Sequence, residues 1–376
     1  MHAMTEKSVA AGRGADQAPA GAADRPLRQP PRCPVLRHRF GLVMVAALWA
    51  WSGAATAQDG APVRLGYAKC AHCLPMALIP DLAKELGKEL GKGVTVEATG
   101  FNSGNDVLTA LVAKSLDVAQ VTYLHYVTAL DKGFDLVAVA GEVNGGSECL
   151  STKGLNLAAE DWAGLKALVE ARKAAGTPLK VAASRGNAQD IHMRGALLKQ
   201  GINPNRDIQF VNIPNPSDHL AAMQRGEVDL VCSVEPFASQ IRMAGAANHF
   251  VLPYDQAAGK LTNLIVTRSD VIKARRAAVQ AVVDADVALV AKLQADRGVW
   301  VDVINQKTGL SKDVAAEALK NAEPDYRMYR ARTLAIAEMM RDLKYISRDV
   351  SKEVEANMDY SFLEAATKQS RDGLGH

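Results

Sequence analysis

LTALVAKSLDVAQV, residues 108–121, and HLAAMQRGEVDLVCSV, residues 219–234, share one pattern. Each reads as a helix, a tight turn, and an Asp (Asp117, Asp229) that opens a short apolar strand. Any single strand–helix unit can look like this. Two of them, each set in a longer series of the same kind, say more. Around the first lie VRLGYA (63–68), the four-residue leucine repeat of LPMALIPDLAKELGKEL (74–90), GVTVEAT (93–99), a helix over 106–115, a strand over 117–122, a helix over 124–133 and DLVAVAGEV (135–143). Around the second lie LKVAAS (179–184), DIHMRGALLKQG (190–201), DIQFVNI (207–213), PFASQIRMAG (236–245) and HFVLPY (249–254). Short apolar strands alternating with helices predict an α/β fold whose parallel-rich sheets are covered on both faces. Two series predict two lobes. After LTNLIVT (261–267) the pattern is helical to about residue 345. Pro80 is expected to kink or delay the first helix.

The N-terminal part fixes an expected compartment. Residues 35–57, VLRHRFGLVMVAALWAWSGAATA, carry a basic flank, an apolar stretch and small residues ending Ala55-Thr56-Ala57. That is the three-part secretory signal, with cleavage expected after Ala57 and a periplasmic destination. The apolar stretch falls well short of the roughly 20 residues of a spanning helix. Residues 1–57 as a whole read as a disordered extension plus signal peptide. They hold seven of the 44 Lys/Arg and three of the 41 Asp/Glu, which leaves 37 basic and 38 acidic residues beyond them. The apparent net charge of +3 thus belongs to the leader. Nothing in the balance calls for nucleic acid as a partner. Four cysteines remain, in a compartment that permits disulfides.

The ordered stretches GYA (66–68), LTALVAKSLDVAQV, ALDKGFDLVAVAG (129–141), KVAASRGNAQD (180–190), LLKQGINPNRDIQFV (197–211) and AAMQRGEVDLVCSVEPFASQ (221–240) carry a family likeness. From Val63 to about Leu293 the chain resembles the periplasmic solute-binding proteins of ABC importers in the nitrate, sulfonate and taurine group, which share their fold with thiamine-pyrimidine precursor binders. The resemblance implies a two-lobed, type II-like periplasmic-binding-protein fold. Lobe 1 is expected over 58–148 and 255–376, with the C-terminal helices, and lobe 2 over 149–254. It also implies a non-enzymatic, monomeric subunit without a cofactor. That subunit takes a small anionic organic solute (sulfonate-, taurine- or nitrate-like) to a permease and its ATPase.

Ligands of parallel sheets gather beyond the carboxyl ends of strands. That rule nominates the loops Lys69–Cys73, Phe101–Asn105, Thr122–Tyr123, Glu142–Cys149, Ser184–Asn187 and Ser233–Glu235. Several open helices, whose free N–H groups and positive dipole ends favour an anion. The candidate ligand-binding residues are therefore Cys70, His72, Cys73, Ser103, Gly104, Asn105, Thr122, Tyr123, Glu142, Arg185, Gly186, Asn187 and Glu235. Ser103 or Asn105 can cap a helix, and Gly104 lets backbone approach a ligand. Arg185 offers a forked donor for carboxylate, sulfonate or phosphate, against a surface pairing with Asp190 or Glu235. Glu235 could accept from a solute or cap its own helix.

YAKCAHCLPMALIP (67–80) places a Cys-x-x-Cys at the end of the first strand, with His72 between the thiols. A Cys70–Cys73 disulfide, or two free thiols at the ligand, is expected in preference to pairing with Cys149 or Cys232. Two other readings stay open. Cys70 and Cys73 resemble the active-site pair of periplasmic thiol–disulfide oxidoreductases. Alternatively, Cys70, Cys73, Cys149 and Cys232, with His72 and Met76 nearby, could hold a soft metal or a metal complex. Cys232, on a buried strand, also fits the role of a small hydrophobe. No Gly-x-Ser-x-Gly, His-Glu-x-x-His, P-loop or Gly-x-Gly-x-x-Gly occurs.

Overall fold

The computed structural model describes residues 61–89, 93–254 and 260–376. The expected signal peptide and its cleavage point lie outside the described residues. β1 (Val63–Ala68) passes through a 3-10 turn at Leu74–Leu78 into α1 (Ile79–Glu89). Pro80 therefore sits in the first turn of α1, where its missing N–H costs nothing, and the helix is delayed as expected. β2 (Val96–Phe101), α2 (Gly104–Val112), β3 (Val118–Thr122), α3 (Tyr123–Asp131) and β4 (Leu136–Gly145) complete the first series. The second contains β5 (Ser147–Thr152), α4 (Trp162–Ala174), β6 (Lys180–Ala183), α5 (Ala188–Lys199) and β7 (Gln209–Asn212). It continues through α6 (His219–Gln224), β8 (Leu230–Val234), α7 (Phe237–Met243) and β9 (Ala247–Val251). After β10 (Asn263–Arg268) come α8 (Ser269–Ala295), α9 (Arg297–Thr308), α10 (Lys312–Ala318), β11 (Ala322–Asp325), α11 (Arg330–Asp342), α12 (Ser351–Asn357) and α13 (Ser361–Thr367).

Two sheets result, ordered β11-β4-β10-β3-β1-β2 and β7-β6-β8-β5-β9. Pairs joined by crossover helices are parallel: β1 with β2 and β3, β6 with β7 and β8. β5, β10 and β11 pair antiparallel with their neighbours. β5 follows β4 after Gly146 alone, and the chain passes there from the six-stranded sheet to the five-stranded one. β11 was not expected in the helical tail; it extends the six-stranded sheet at the β4 edge. Every residue of β3, β4 and β8 is buried, as strands covered on both faces must be.

The repeated Asp has one job in both series. Asp117 Oδ2 accepts the backbone N–H of Arg64 (3.0 Å), while the N–H of Asp117 donates to Arg64 O (2.8 Å). Asp229 Oδ2 accepts the N–H of Lys180 (2.8 Å), and its own N–H donates to Lys180 O (2.9 Å). Each carboxylate locks the start of a new strand onto its parallel neighbour, β3 onto β1 and β8 onto β6. The likeness between the two stretches is thus a repeated device for starting a parallel strand.

Candidate functional site

The carboxyl ends of β1, β3, β6 and β8 converge on a cavity of about 40 Å³ between the two sheets. Its wall is laid down by the turn after β1, three helix starts and β3. After β1, Cys70 and Cys73 form a disulfide with Cα atoms 5.1 Å apart. The turn is held from three sides. Ala71 N donates to Glu235 O (2.7 Å), Trp300 Nε1 to Ala71 O (2.6 Å), and Asn263 Nδ2 to His72 O (2.9 Å). His72 is 2% exposed, and its Nδ1 has no partner. Burial pushes its pKa down to about 3, so the ring is neutral. It packs on Gly146, whose φ is +86°; a Cβ there would fall 1.9 Å from His72 Nδ1. Only glycine serves at that step from β4 to β5.

Helix starts supply the rest. Ser103 caps α2 by accepting Asp106 N (3.3 Å), and Thr122 caps α3 by accepting His125 N (3.2 Å). Asn187 precedes α5 without a side-chain cap, because its Nδ2 donates to Ser184 Oγ (2.8 Å). His125 lies behind Thr122, its Nδ1 2.9 Å from Thr122 Oγ1 and its Nε2 3.1 Å from Asn105 Oδ1. Asn105 Nδ2 donates to Arg185 O (3.2 Å), which leaves Oδ1 to accept from His125 Nε2. That ring too is held neutral by burial, its pKa near 4. Lys69 is the one cation among the lining residues described, and no carboxylate lines the cavity. Three positive helix ends and one ammonium therefore set the sign of its field, which suits an anion.

Gln120 completes the wall from β3. It is 1% exposed, and neither Oε1 nor Nε2 finds a partner among the described residues. A buried amide left with both groups open costs roughly 1–3 kcal/mol for each. On the wall of a cavity, it adds an uncommitted donor and acceptor.

Of the residues nominated from sequence, Cys70, His72, Cys73, Ser103, Gly104, Thr122 and Asn187 line this cavity. Asn105 stands behind it through His125. Tyr123, the first residue of α3, points into the core, fully buried. Glu142 lies inside β4, which runs on to Gly145, and Asn263 Nδ2 donates to its Oε2 (3.2 Å). Arg185 is exposed, with its guanidinium 4.7 Å from the Phe210 ring centroid, and Gly186 N donates to Asp190 Oδ2 (2.9 Å). Glu235 Oε2 accepts Ser239 N (2.9 Å), so it caps its own helix; burial, reinforced by Glu148, pushes its carboxyl pKa up. Gln120, His125 and Gln189 line the cavity without having been nominated, and Lys69 and Ser184, which open two of the nominated loops, line it as well.

The other two cysteines behave differently from expectation. Cys149 and Cys232 face each other across β5 and β8 and form a second disulfide, Cα atoms 3.9 Å apart, within the core of the five-stranded sheet. The structure thus does not gather four thiols around one ion. Cys70 and Cys73, 6% and 2% exposed, also sit too deep for the disulfide of another protein to reach them in this conformation.

Behind the site lies a second buried acid beside Glu142. Asp286 of α8 has neither carboxyl oxygen bonded, and Glu142 Oε1 is likewise unpartnered. Burial pushes both pKa values well up, Glu142 further through Asp286. Such an acid keeps its proton in the folded state and loses it in the unfolded chain. Its contribution is therefore intact below the ordinary carboxylate pKa of about 4. It is lost as pH rises toward the folded pKa, by about 1.4 kcal/mol per pH unit for each group. Asp286→Asn is expected to raise the melting temperature by more at pH 8 than at pH 5. A pH-independent difference from wild type in thermal melts counts against this assignment.

Comparison with known proteins places this geometry. The NMT1-like family model matches residues 56–297. Over 78 residues the chain is 40% identical to the nitrate/nitrite binding protein NrtA of Synechococcus elongatus, a match spanning 20% of this chain and only 17% of that protein. Among solved structures, the nitrate-binding protein NrtA of Synechocystis PCC 6803 superposes with a TM-score of 0.68 at 17% identity, covering 82% of this chain and 88% of that one. The alkanesulfonate-binding protein SsuA of Xanthomonas axonopodis pv. citri, bound to MOPS, gives 0.64 at 19%, covering 80% and 98%. The ligand-binding component of an ABC-type import system from Staphylococcus aureus, with zinc bound, gives 0.65 at 16%, covering 82% and 99%. The two-lobed periplasmic-binding-protein fold expected from sequence is the fold observed.

Proposed function

Because this chain belongs to the NMT1-like family, we propose that it is the periplasmic substrate-binding subunit of an ABC importer. It holds a small anionic solute of the nitrate, sulfonate or carboxylate kind between its sheets. It acts as a monomer, without turnover, and passes the solute to a permease and its ATPase. The two sheets are the cores of lobes that open and close, residues 58–148 with 255–376 against 149–254.

The observation that carries the reading is Gln120, a buried amide on the wall of a cavity ringed by helix N-termini, with neither polar atom bonded among the described residues. The size agrees: about 40 Å³ is some three times the roughly 10–15 Å³ that one water occupies on the same measure. A compact anion suits this conformation.

A thermal-shift panel of nitrate, taurine, alkanesulfonates, carboxylates, pyrimidines and metal ions tests the proposal. A true solute at a hundredfold excess over Kd stabilises by about 2.7 kcal/mol. Gln120→Leu is then expected to weaken that solute by about 10- to 100-fold, the worth of hydrogen bonds to a charged group. A panel in which no anion shifts the melt, or a Gln120→Leu protein that binds as tightly as wild type, overturns the reading.

A further inference from the structure

The turn after β1 holds a donor set that anion binding does not use. The ligand atoms of Cys70, His72 and Cys73 lie within 4.8 Å of one another. All three side chains are buried, and all three line the cavity. His72 Nδ1 has no partner among the described residues, so the buried ring keeps a nitrogen that the protein does not use. The backbone beneath them is pinned by Glu235, Trp300 and Asn263, so the donors stand on a fixed frame. Among the described residues no carboxylate joins them at the cavity wall, which disfavours a hard cation such as Mg²⁺ or Ca²⁺.

We propose that reduction of the Cys70–Cys73 disulfide by a small dithiol converts this turn into a three-ligand site for a thiophilic cation of the Zn²⁺ class. The fourth coordination position opens into the cavity. In the first step the dithiol gives up two electrons and two protons. Its own sulfurs join, the Cys70–Cys73 bond breaks, and two thiols result. In the second step Zn²⁺ displaces the two thiol protons, and two thiolates neutralise its charge. Tetrahedral zinc, with bonds of about 2.3 Å to sulfur and about 2.0 Å to nitrogen, sets donors roughly 3.5–3.8 Å apart. The longest separation in the set, up to 4.8 Å, must close by about 1 Å, while the two sulfurs must move apart by just under ~2 Å from bonding distance, and side-chain rotation supplies both once the disulfide is open. Cys149 and Cys232 take no part, being paired in the core of the other sheet. The zinc readout needs no solute, so it stands or falls apart from the anion reading.

The full-length protein, reduced anaerobically with dithiothreitol and desalted, is to be titrated with Zn²⁺ against a chromophoric chelator. Alkylation and mass spectrometry report the state of Cys70 and Cys73. The reduced protein is expected to hold about one zinc per chain and the untreated protein almost none. Cys149→Ser/Cys232→Ser keeps the zinc; Cys70→Ser/Cys73→Ser loses it. Should that last variant fail to fold, His72→Gln provides the second arm: both thiols still alkylate after reduction, and zinc affinity falls at least about tenfold. The proposal is overturned by a disulfide that resists dithiothreitol or by reduced wild type that takes no zinc. Zinc retained in full by either the Cys70→Ser/Cys73→Ser or the His72→Gln protein overturns it as well.

Discussion

Trp300→Ala is expected to cost about 3–5 kcal/mol of folding stability, the range for emptying a large aromatic site in a packed core. Trp300 is fully buried on α9, within the core of the six-stranded sheet. Its loss has two parts. The ring leaves a void, and Ala71 O loses the indole N–H that reaches it at 2.6 Å. That carbonyl belongs to the turn between Cys70 and Cys73, so the damage reaches the cavity wall. Trp300→Phe separates the two parts. It keeps most of the packing, forfeits the hydrogen bond, and should cost about 1–3 kcal/mol with a measurable loss of solute affinity. Urea denaturation followed by circular dichroism gives the numbers. A loss below about 1 kcal/mol for Trp300→Ala would show that the site collapses freely and that the indole is not a strut.

Arg194→Ala should be nearly as damaging, at about 3–5 kcal/mol, because it strands a buried carboxylate. Asp190 and Arg194 lie one turn apart on α5, both buried, with Nε 2.7 Å from Oδ1. Arg194 also donates to Asn205 Oδ1 (3.0 Å) and lies over Phe210, 4.2 Å from the ring centroid. The other Asp190 oxygen accepts Gly186 N and the Tyr345 hydroxyl, the latter from the segment after α11. One carboxylate therefore ties together α5, the turn that carries Arg185 and Gly186, and the C-terminal helices. Asp190→Asn/Arg194→Met removes both charges and should recover much of the loss. The double-mutant cycle is then strongly non-additive. An exposed pair would be worth under about 1 kcal/mol, and additive losses of that size would refute the arrangement.

Most of the fold was legible because strand and helix periods alternate cleanly in this chain. Asp117 and Asp229 were visible as a repeat, and their hydrogen bonds give the reason. Strand direction was less legible: β10 looks like any apolar strand, and only the absence of a crossover helix marks it as antiparallel. The same limit hid the second disulfide. Cys149 and Cys232 are 83 residues apart, and only the register of β5 against β8 brings them face to face. At the site, the strand-end rule found the turn of Cys70–Cys73 and the starts of α2, α3 and α5. It misplaced Glu142, because β4 continues three residues beyond it. It passed over Gln120, which lies within β3 and not after it. A signal was there: DVAQVT puts an amide in a strand otherwise built to be buried on both faces, and such a residue needs a partner.

Strand order also fixes a sequence of assembly. All five strands of the second sheet are present once residue 251 has been made, whereas the first sheet still lacks β10, the strand that joins β4 to β3. Until residues 263–268 arrive, that sheet exists as two pieces with facing open edges. At about 5–20 residues per second the gap lasts roughly 1–3 s during translation. The inserted unit can thus close before the unit that surrounds it. β3 and β4 wait for the strand between them, and a chain released in that interval carries the two unmatched edges most open to wrong pairing.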